Sequence, residues 1–165
     1  MVLNLSQFFE LALNHGNPTT TVETEIKLIQ CYFEIQNVRF NNRFDMIIDI
    51  LDELMKYEIQ NIILQPLIEN SIHHGLEMLE TKGIIQVTGI YKDDYLSISV
   101  QDNGIGFPPD CNPLKSEGYA LYNINERLHL TYGQKSGLSI QSTSETGTVV
   151  TVKMYKPTPT YQALS

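Results

Sequence analysis

The sequence predicts an α+β domain, with a mixed, mainly antiparallel sheet that carries helices on one face. Three observations lead there. Strand-like stretches fall next to one another in two pairs, 84–91 with 96–101 and 138–142 with 148–155. The segments before and between those pairs carry apolar residues at helical spacing. Finally, 165 residues, 42% hydrophobic and 18% charged, suit one full core rather than two.

Along the chain, Leu5, Phe8, Phe9, Ala12 and Leu13 mark residues 3–14 as the end of an amphipathic helix, stopped by His15-Gly16-Asn17-Pro18. A second helix should open at Thr20 or Thr21, near Val22 and Glu23. Its apolar face is built from Ile26, Leu28, Ile29, Tyr32, Phe33 and Ile35, and it ends before Asn41-Asn42. Phe44, Met46, Ile48 and Ile50 alternate with Asp45 and Asp49, as in a half-buried strand. Residues 64–76 read as a helix with Pro66 in the first turn, where a missing N–H does little harm.

Residues 84–91 and 96–101 form a hairpin about Lys92-Asp93-Asp94, and the second strand delivers Asp102 to its end. Residues 103–117, with Pro108, Pro109 and Pro113, keep no period and read as a long functional or disordered loop. Leu121, Ile124 and Leu128 define a last helix ending at Tyr132-Gly133, and two final strands flank a turn near Gly147. Residues 1–16 are thus expected to be the end of an upstream helix and a linker. Residues 17–156 form the domain, and 157–165, with Pro157 and Pro159, a flexible tail.

The formal charge of -8 argues against a nucleic-acid surface, which needs a clustered basic face. A bound polyanion would have to be held by backbone amides, a helix end and a divalent cation. Cys31 and Cys111 lack metal-ligand spacing and read as reduced thiols of a cytoplasmic protein. No apolar run is long enough to span a membrane, and no signal peptide is expected, so this stretch should make no membrane contact.

Two short motifs carry chemistry. In Glu69-Asn70-Ser71-Ile72-His73-His74-Gly75, Glu69 lies four residues from His73 and Asn70 four from His74, opposite a mostly apolar stripe of Leu64, Leu67, Ile68, Ser71 and Ile72. In Asp102-Asn103-Gly104-Ile105-Gly106-Phe107, a carboxylate at a strand end precedes a glycine turn. Taken singly, the first is ambiguous with a solvated helix face, and the second reads more simply as a turn-forming aspartate.

Three further sets accompany them: Tyr32-Phe33-Glu34-Ile35-Gln36 with Arg39-Phe40 and Arg43-Phe44; Gly118-Tyr119-Ala120-Leu121-Tyr122-Asn123-Ile124 with Glu126-Arg127-Leu128 and Tyr132-Gly133; and Gly147-Thr148. With these five stretches in order, the chain resembles the ATP-binding domain of sensor histidine kinases of the YesM/LytS-like group, in the superfamily shared with gyrase, MutL and a heat-shock chaperone. The resemblance covers residues 3 to about 155. It implies a two-layer α/β sandwich of the Bergerat type that transfers the γ-phosphoryl of Mg-ATP to a histidine in an upstream dimerisation domain. It also implies a response regulator as partner, a homodimeric full-length protein in the cell membrane, and a cytoplasmic position for this fragment.

The family's roles carry over by position. Asn70 resembles the asparagine whose amide oxygen coordinates Mg²⁺, a hard cation that takes oxygen ligands. Glu69 resembles the acidic neighbour that orders a metal-bound water or acts as base. His73 stands where many relatives have a lysine facing the phosphates, and His74 where an aromatic or histidine packs near the nucleotide. Asp102 resembles the aspartate that accepts a hydrogen bond from the adenine amino group, and Thr148 the threonine that shares its water network. Gly104 and Gly106 would allow close backbone approach to base or ribose. Residues 107–117 would be the ATP lid, and Gly118, Ala120 and Leu121 would open the helix that receives the β- and γ-phosphates.

Two departures stand out. The family usually has Gly-x-Gly-Leu where this chain has Gly118-Tyr119-Ala120-Leu121, so alanine is tolerated only if the backbone there is helical. No His-Phe context for a phosphoacceptor occurs, and His15 and His129 read as structural or surface residues. The alternative reading is therefore a degenerate kinase-like domain acting as a nucleotide-binding or protein-interaction module. A gyrase- or MutL-like clamp is disfavoured, because it needs a further domain that contributes a lysine.

Overall fold

The computed structural model describes residues 2–108, 114–115, 120–144 and 146–159. Helix α1 (Val2–Leu13) closes through Asn14, His15 and Gly16, all at positive φ, which is the expected stop. Strand β1 (Thr19–Thr21) leads directly into α2 (Val22–Arg39), where the Thr21 hydroxyl caps the helix by accepting the Thr24 N–H at 3.2 Å. Strands β2 (Phe44–Asp49) and β3 (Tyr57–Gln60) follow, then helix α3 (Gln65–Asn70) with Pro66 in its first turn.

The expected single α-helix over 64–76 does not run through. From Ser71 to Leu76 the chain winds as a π-helix, with the Glu77 N–H donating to the Ile72 carbonyl. Such wide turns recur at functional sites. Beyond it lie β4 (Gly83–Lys92), β5 (Tyr95–Asp102), α4 (Ala120–Tyr132), β6 (Gly137–Thr143), β7 (Gly147–Tyr155) and β8 (Thr158–Pro159).

The main sheet has the order β2-β4-β5-β7-β6. All its pairs are antiparallel except β2 with β4, which run parallel, so the sheet is mixed as predicted. The β4–β5 hairpin turns on Asp93 and Asp94, both at positive φ, as a tight two-residue connection demands. A second small sheet, β1-β3-β8, was not foreseen. It corrects the tail: Thr158 and Pro159, assigned to a frayed end, pair with Glu58 and Tyr57.

One core joins the layers. Ile85 and Val87 of β4, Leu96, Ile98 and Val100 of β5 and Val150, Val152 and Met154 of β7 are buried against Ile29 and Phe33 of α2, Leu67, Ile68 and Ile72 of the α3–π segment, and Leu121, Ile124 and Leu128 of α4. The polar alternates of the strands fall on the other face, as a one-sided helical layer requires. Among the described residues no helix is long and apolar enough to cross a membrane. Cys31 is a buried free thiol, and Cys111 lies outside the described residues.

Candidate functional site

Asp102 ends β5, 2% exposed, where an isolated carboxylate would be strongly unfavourable. Backbone amides answer it: the N–H groups of Gly104 and Thr148 both donate to Oδ1, at 2.9 and 3.2 Å. Burial nevertheless pushes its pKa above the usual carboxylate value, against those amides and the Ser71 hydroxyl. The Ser71 Oγ is close enough to favour the charged carboxylate, yet it is buried with no partner in hydrogen-bonding geometry.

Glycines let the π-helix and the turn after Asp102 touch. A methyl on Gly75 would stand 2.9 Å from Asp102 Oδ1, and one on Gly104 would collide with the Gly75 backbone. The Ile105 N–H donates to the Gly75 carbonyl at 3.1 Å, which fixes this contact. Gly106 has φ +73, and a side chain there would also meet the Thr143 carbonyl at 2.6 Å. Next to it the Phe107 N–H donates to Ser142 Oγ at 2.7 Å, and that hydroxyl lies 2.9 Å from Thr148 Oγ1.

The result is a narrow cleft lined by Asn70, His74, Gly75, Asp102, Gly106, Phe107 and Thr148. Its free volume is about 10 Å³. That is room for about one water in its enclosed part. Asp102 and Thr148 supply the buried polar wall, and Asn70 and His74 the opposite, more open one.

The remaining predicted site residues divide. Gly104 is buried directly behind Asp102. His73 turns away from the cleft, with its ring 6.3 Å from that of Phe40 and Nδ1 3.3 Å from Glu77 Oε2. Glu69 is exposed and faces α2. Burial, then the Glu69 carboxylate, with Arg39 opposing, leaves the Tyr32 phenol pushed up to about 12. Ala120 is the first residue of α4, exposed and helical, and Leu121 is buried in the core. Gly118 and most of the expected lid lie outside the described residues.

Sequence reasoning did not single out Ser71, Gly75, Phe107 or Ser142 as site residues. Ser71, Gly75 and Phe107 stood inside the two motifs, and Phe107 at the start of the expected lid, but without a role of their own; Ser142 had no signal. Also missed was Arg43, whose guanidinium donates to the Glu77 and Leu79 carbonyls, both at 2.8 Å, and holds the far end of the π-helix.

One side chain at the open end could serve a metal. Among the described residues no group of three or more acidic, histidine or cysteine side chains is placed to hold a metal ion. Asn70 can offer one amide oxygen at the cleft, which suits Mg²⁺ completed by phosphate oxygens and water.

Residues 59–158 match the family model described as "Histidine kinase-, DNA gyrase B-, and HSP90-like ATPase", and residues 1–44 match one described as "Histidine kinase". The chain is 38% identical over 160 residues to the sensor protein LytS of Staphylococcus epidermidis, covering 91% of this chain and 27% of that protein. It is 33% identical to the sensor histidine kinase YesM of Bacillus subtilis, covering 92% and 26%. The chain thus spans about a quarter of the length of these curated relatives. In fold it is similar to the histidine kinase domain of the Erythrobacter litoralis EL346 blue-light activated histidine kinase, with a TM-score of 0.62, 15% identity, and coverage of 92% of this chain and 74% of that one.

Proposed function

This chain belongs to the histidine kinase-, DNA gyrase B- and HSP90-like ATPase family, and from that premise we propose that its cleft binds Mg-ATP for phosphoryl transfer to a histidine elsewhere in a longer sensor kinase. The observation that carries this is the buried Asp102 carboxylate, held by two backbone amides through one oxygen only, at the back of a cleft whose other wall bears Asn70 and His74. The second oxygen is left to accept the adenine amino N–H, which guanine, with a carbonyl at that place, cannot offer. The orphaned Ser71 hydroxyl beside it suits a water bridging the carboxylate and the base.

Asn70 would lend its amide oxygen to Mg²⁺, which supplies charge neutralisation across the phosphates. His74 and the N-terminal end of α4 would face the phosphates, with Ala120 already helical and its methyl in the open. In the transfer, the imidazole nitrogen of the acceptor forms a bond to the γ-phosphorus while the bond from that phosphorus to the β–γ bridging oxygen breaks, leaving ADP. An imidazole nucleophile needs little deprotonation, so positioning and electrostatics supply most of the acceleration, and Glu69 serves at most to order water near the metal. The partners of this reading are the protein's own dimerisation domain, a second copy in the full-length protein and a response regulator.

The test is phosphorylation of the full-length protein by radiolabelled Mg-ATP. Acid-labile, alkali-stable label that disappears in Asn70→Ala is expected. A full-length protein that binds nucleotide yet acquires no such label would instead support a nucleotide-binding or interaction module.

A further inference from the structure

We propose that Glu25 is a positioning residue for this cleft: its carboxylate fixes the N-terminal end of α3 and thereby the place of Asn70. This rests on the reading of the cleft as the Mg-ATP site. Glu25 lies in α2 with no solvent exposure. Its carboxylate accepts three consecutive backbone N–H groups, from Ile62 at 2.6 Å and from Ile63 and Leu64 at 2.9 Å. These amides form the junction where β3 hands over to α3. The Ile62 and Ile63 amides belong to the loop, whereas the Leu64 amide is one that a helix start leaves without an intrahelical partner, and Leu64 has no side-chain cap of its own.

The opposite side of the same junction is gripped by α4. Arg127 donates to the Asn61 carbonyl at 2.6 Å and to the Ile62 carbonyl at 3.4 Å. Ile62 has φ +55, a conformation that a β-branched residue adopts only under constraint, and the two clamps supply the constraint. The junction also meets the chain upstream: the Asn61 N–H donates to the Pro18 carbonyl at 2.9 Å, and its side-chain amide to the Ala12 carbonyl of α1 at 3.3 Å.

A carboxylate at a helix N-terminal end is favourable in itself, and three charge-assisted bonds also set the direction in which the helix leaves. Fewer than two turns separate Leu64 from Asn70, so an error at the junction arrives at Asn70 nearly undiminished. Asp102 is held differently, by amides of β7 and of its own turn. Ser71 and Gly75, just beyond Asn70, also touch the Asp102 side, but Asp102 keeps its own amides, so loosening the clamp should degrade the metal and phosphate end more than the adenine end.

The experiment compares wild-type, Glu25→Gln and Arg127→Lys forms of the full-length protein. Each is titrated with a non-hydrolysable ATP analogue plus Mg²⁺ and, separately, with adenosine, with thermal melting recorded alongside. Glutamine keeps the shape but sets an N–H₂ group against backbone donors. A weakening of analogue binding by about tenfold or more, with adenosine affinity within about twofold, is expected for Glu25→Gln. Equal weakening of both ligands, or no change in either, overturns the proposal. Should Glu25→Gln melt below the assay temperature, Arg127→Lys decides, with the same split expected at about threefold. A wild type that binds neither ligand overturns the nucleotide reading and the clamp with it.

Discussion

Asp102 and Thr148 face each other in register across β5 and β7, and the Thr148 N–H also donates to the Asp102 carboxylate at 3.2 Å. The carboxylate is thereby built into the sheet rather than suspended from it. One of its oxygens accepts both backbone amides.

Asp102→Asn separates that structural task from the proposed contact with adenine. Its Oδ1 can still accept from Gly104 and Thr148, but its amide would oppose the adenine amino group with a second donor. ATP-analogue affinity is expected to fall by about 100-fold, from a lost charge-assisted bond and an unsatisfied donor. Stability should move the other way. Because burial raises the pKa of Asp102, the folded state holds its proton to higher pH than the unfolded state does. The contribution of this carboxyl is thus most favourable below the ordinary carboxylate range and declines as pH rises through the raised folded value. Asp102→Asn is expected to melt at or above the wild-type temperature at neutral pH, and to lose that advantage in acid. Melting curves across pH check both signs.

Gly75→Ala puts a methyl against the Asp102 carboxyl, at 2.9 to 3.3 Å from its three atoms. Overpacking of this kind typically destabilises by about 1–3 kcal/mol, and the displaced carboxyl should weaken nucleotide binding by about tenfold or more. A calorimetric titration paired with a melting curve reads both effects. Unchanged affinity in the folded variant would mean that the π-helix and Asp102 do not share a site.

The two histidines should behave differently. His74 lines the cleft, whereas His73 pairs with Glu77 and packs on Phe40. His74→Ala is expected to weaken Mg-ATP-analogue binding several-fold, about 1 kcal/mol. His73→Ala should leave affinity within about twofold and change stability by less than about 1 kcal/mol, since its contact with Glu77 is partly exposed.

Ala120→Gly tests whether the departure at the start of α4 is a lesion. The residue is helical and its side chain is exposed, so no positive φ is being forced on an alanine. Glycine should raise nucleotide affinity by no more than about twofold and should destabilise by about 0.5–1 kcal/mol through backbone entropy. A large gain in affinity, or a gain in phosphorylation of the full-length protein, would restore the degenerate-domain reading.

Much of the fold was legible because local chemistry and the hydrophobic pattern agree: the cap at Thr21, Pro66 at a helix start, the Asp93-Asp94 hairpin and the alternation along Leu96, Ile98 and Val100. The rest depends on tertiary partners. Six residues from Ser71 to Leu76 are too few for a 3.6-residue period to be told from a π-turn, yet that turn separates His74 from His73. Glu25 reads as one more polar residue of an amphipathic helix. It is buried because three amides 37 to 39 residues away converge on it, and no local pattern announces that. Likewise β1 and β3 are three and four residues long, and Thr19–Thr21 carried only a capping signal. In the site, Asp102, Asn70, His74, Gly106 and Thr148 do converge on one cleft. Ser142, which links Phe107 to Thr148, had no sequence signature.

The most direct measurement is an isothermal titration of the protein with non-hydrolysable ATP and GTP analogues, each with and without Mg²⁺. The Asp102 cleft requires saturable one-to-one binding of the ATP analogue, weaker when Mg²⁺ is withheld, and no measurable binding of the GTP analogue. Absence of saturable ATP-analogue binding, or equal affinity for the two bases, would contradict it.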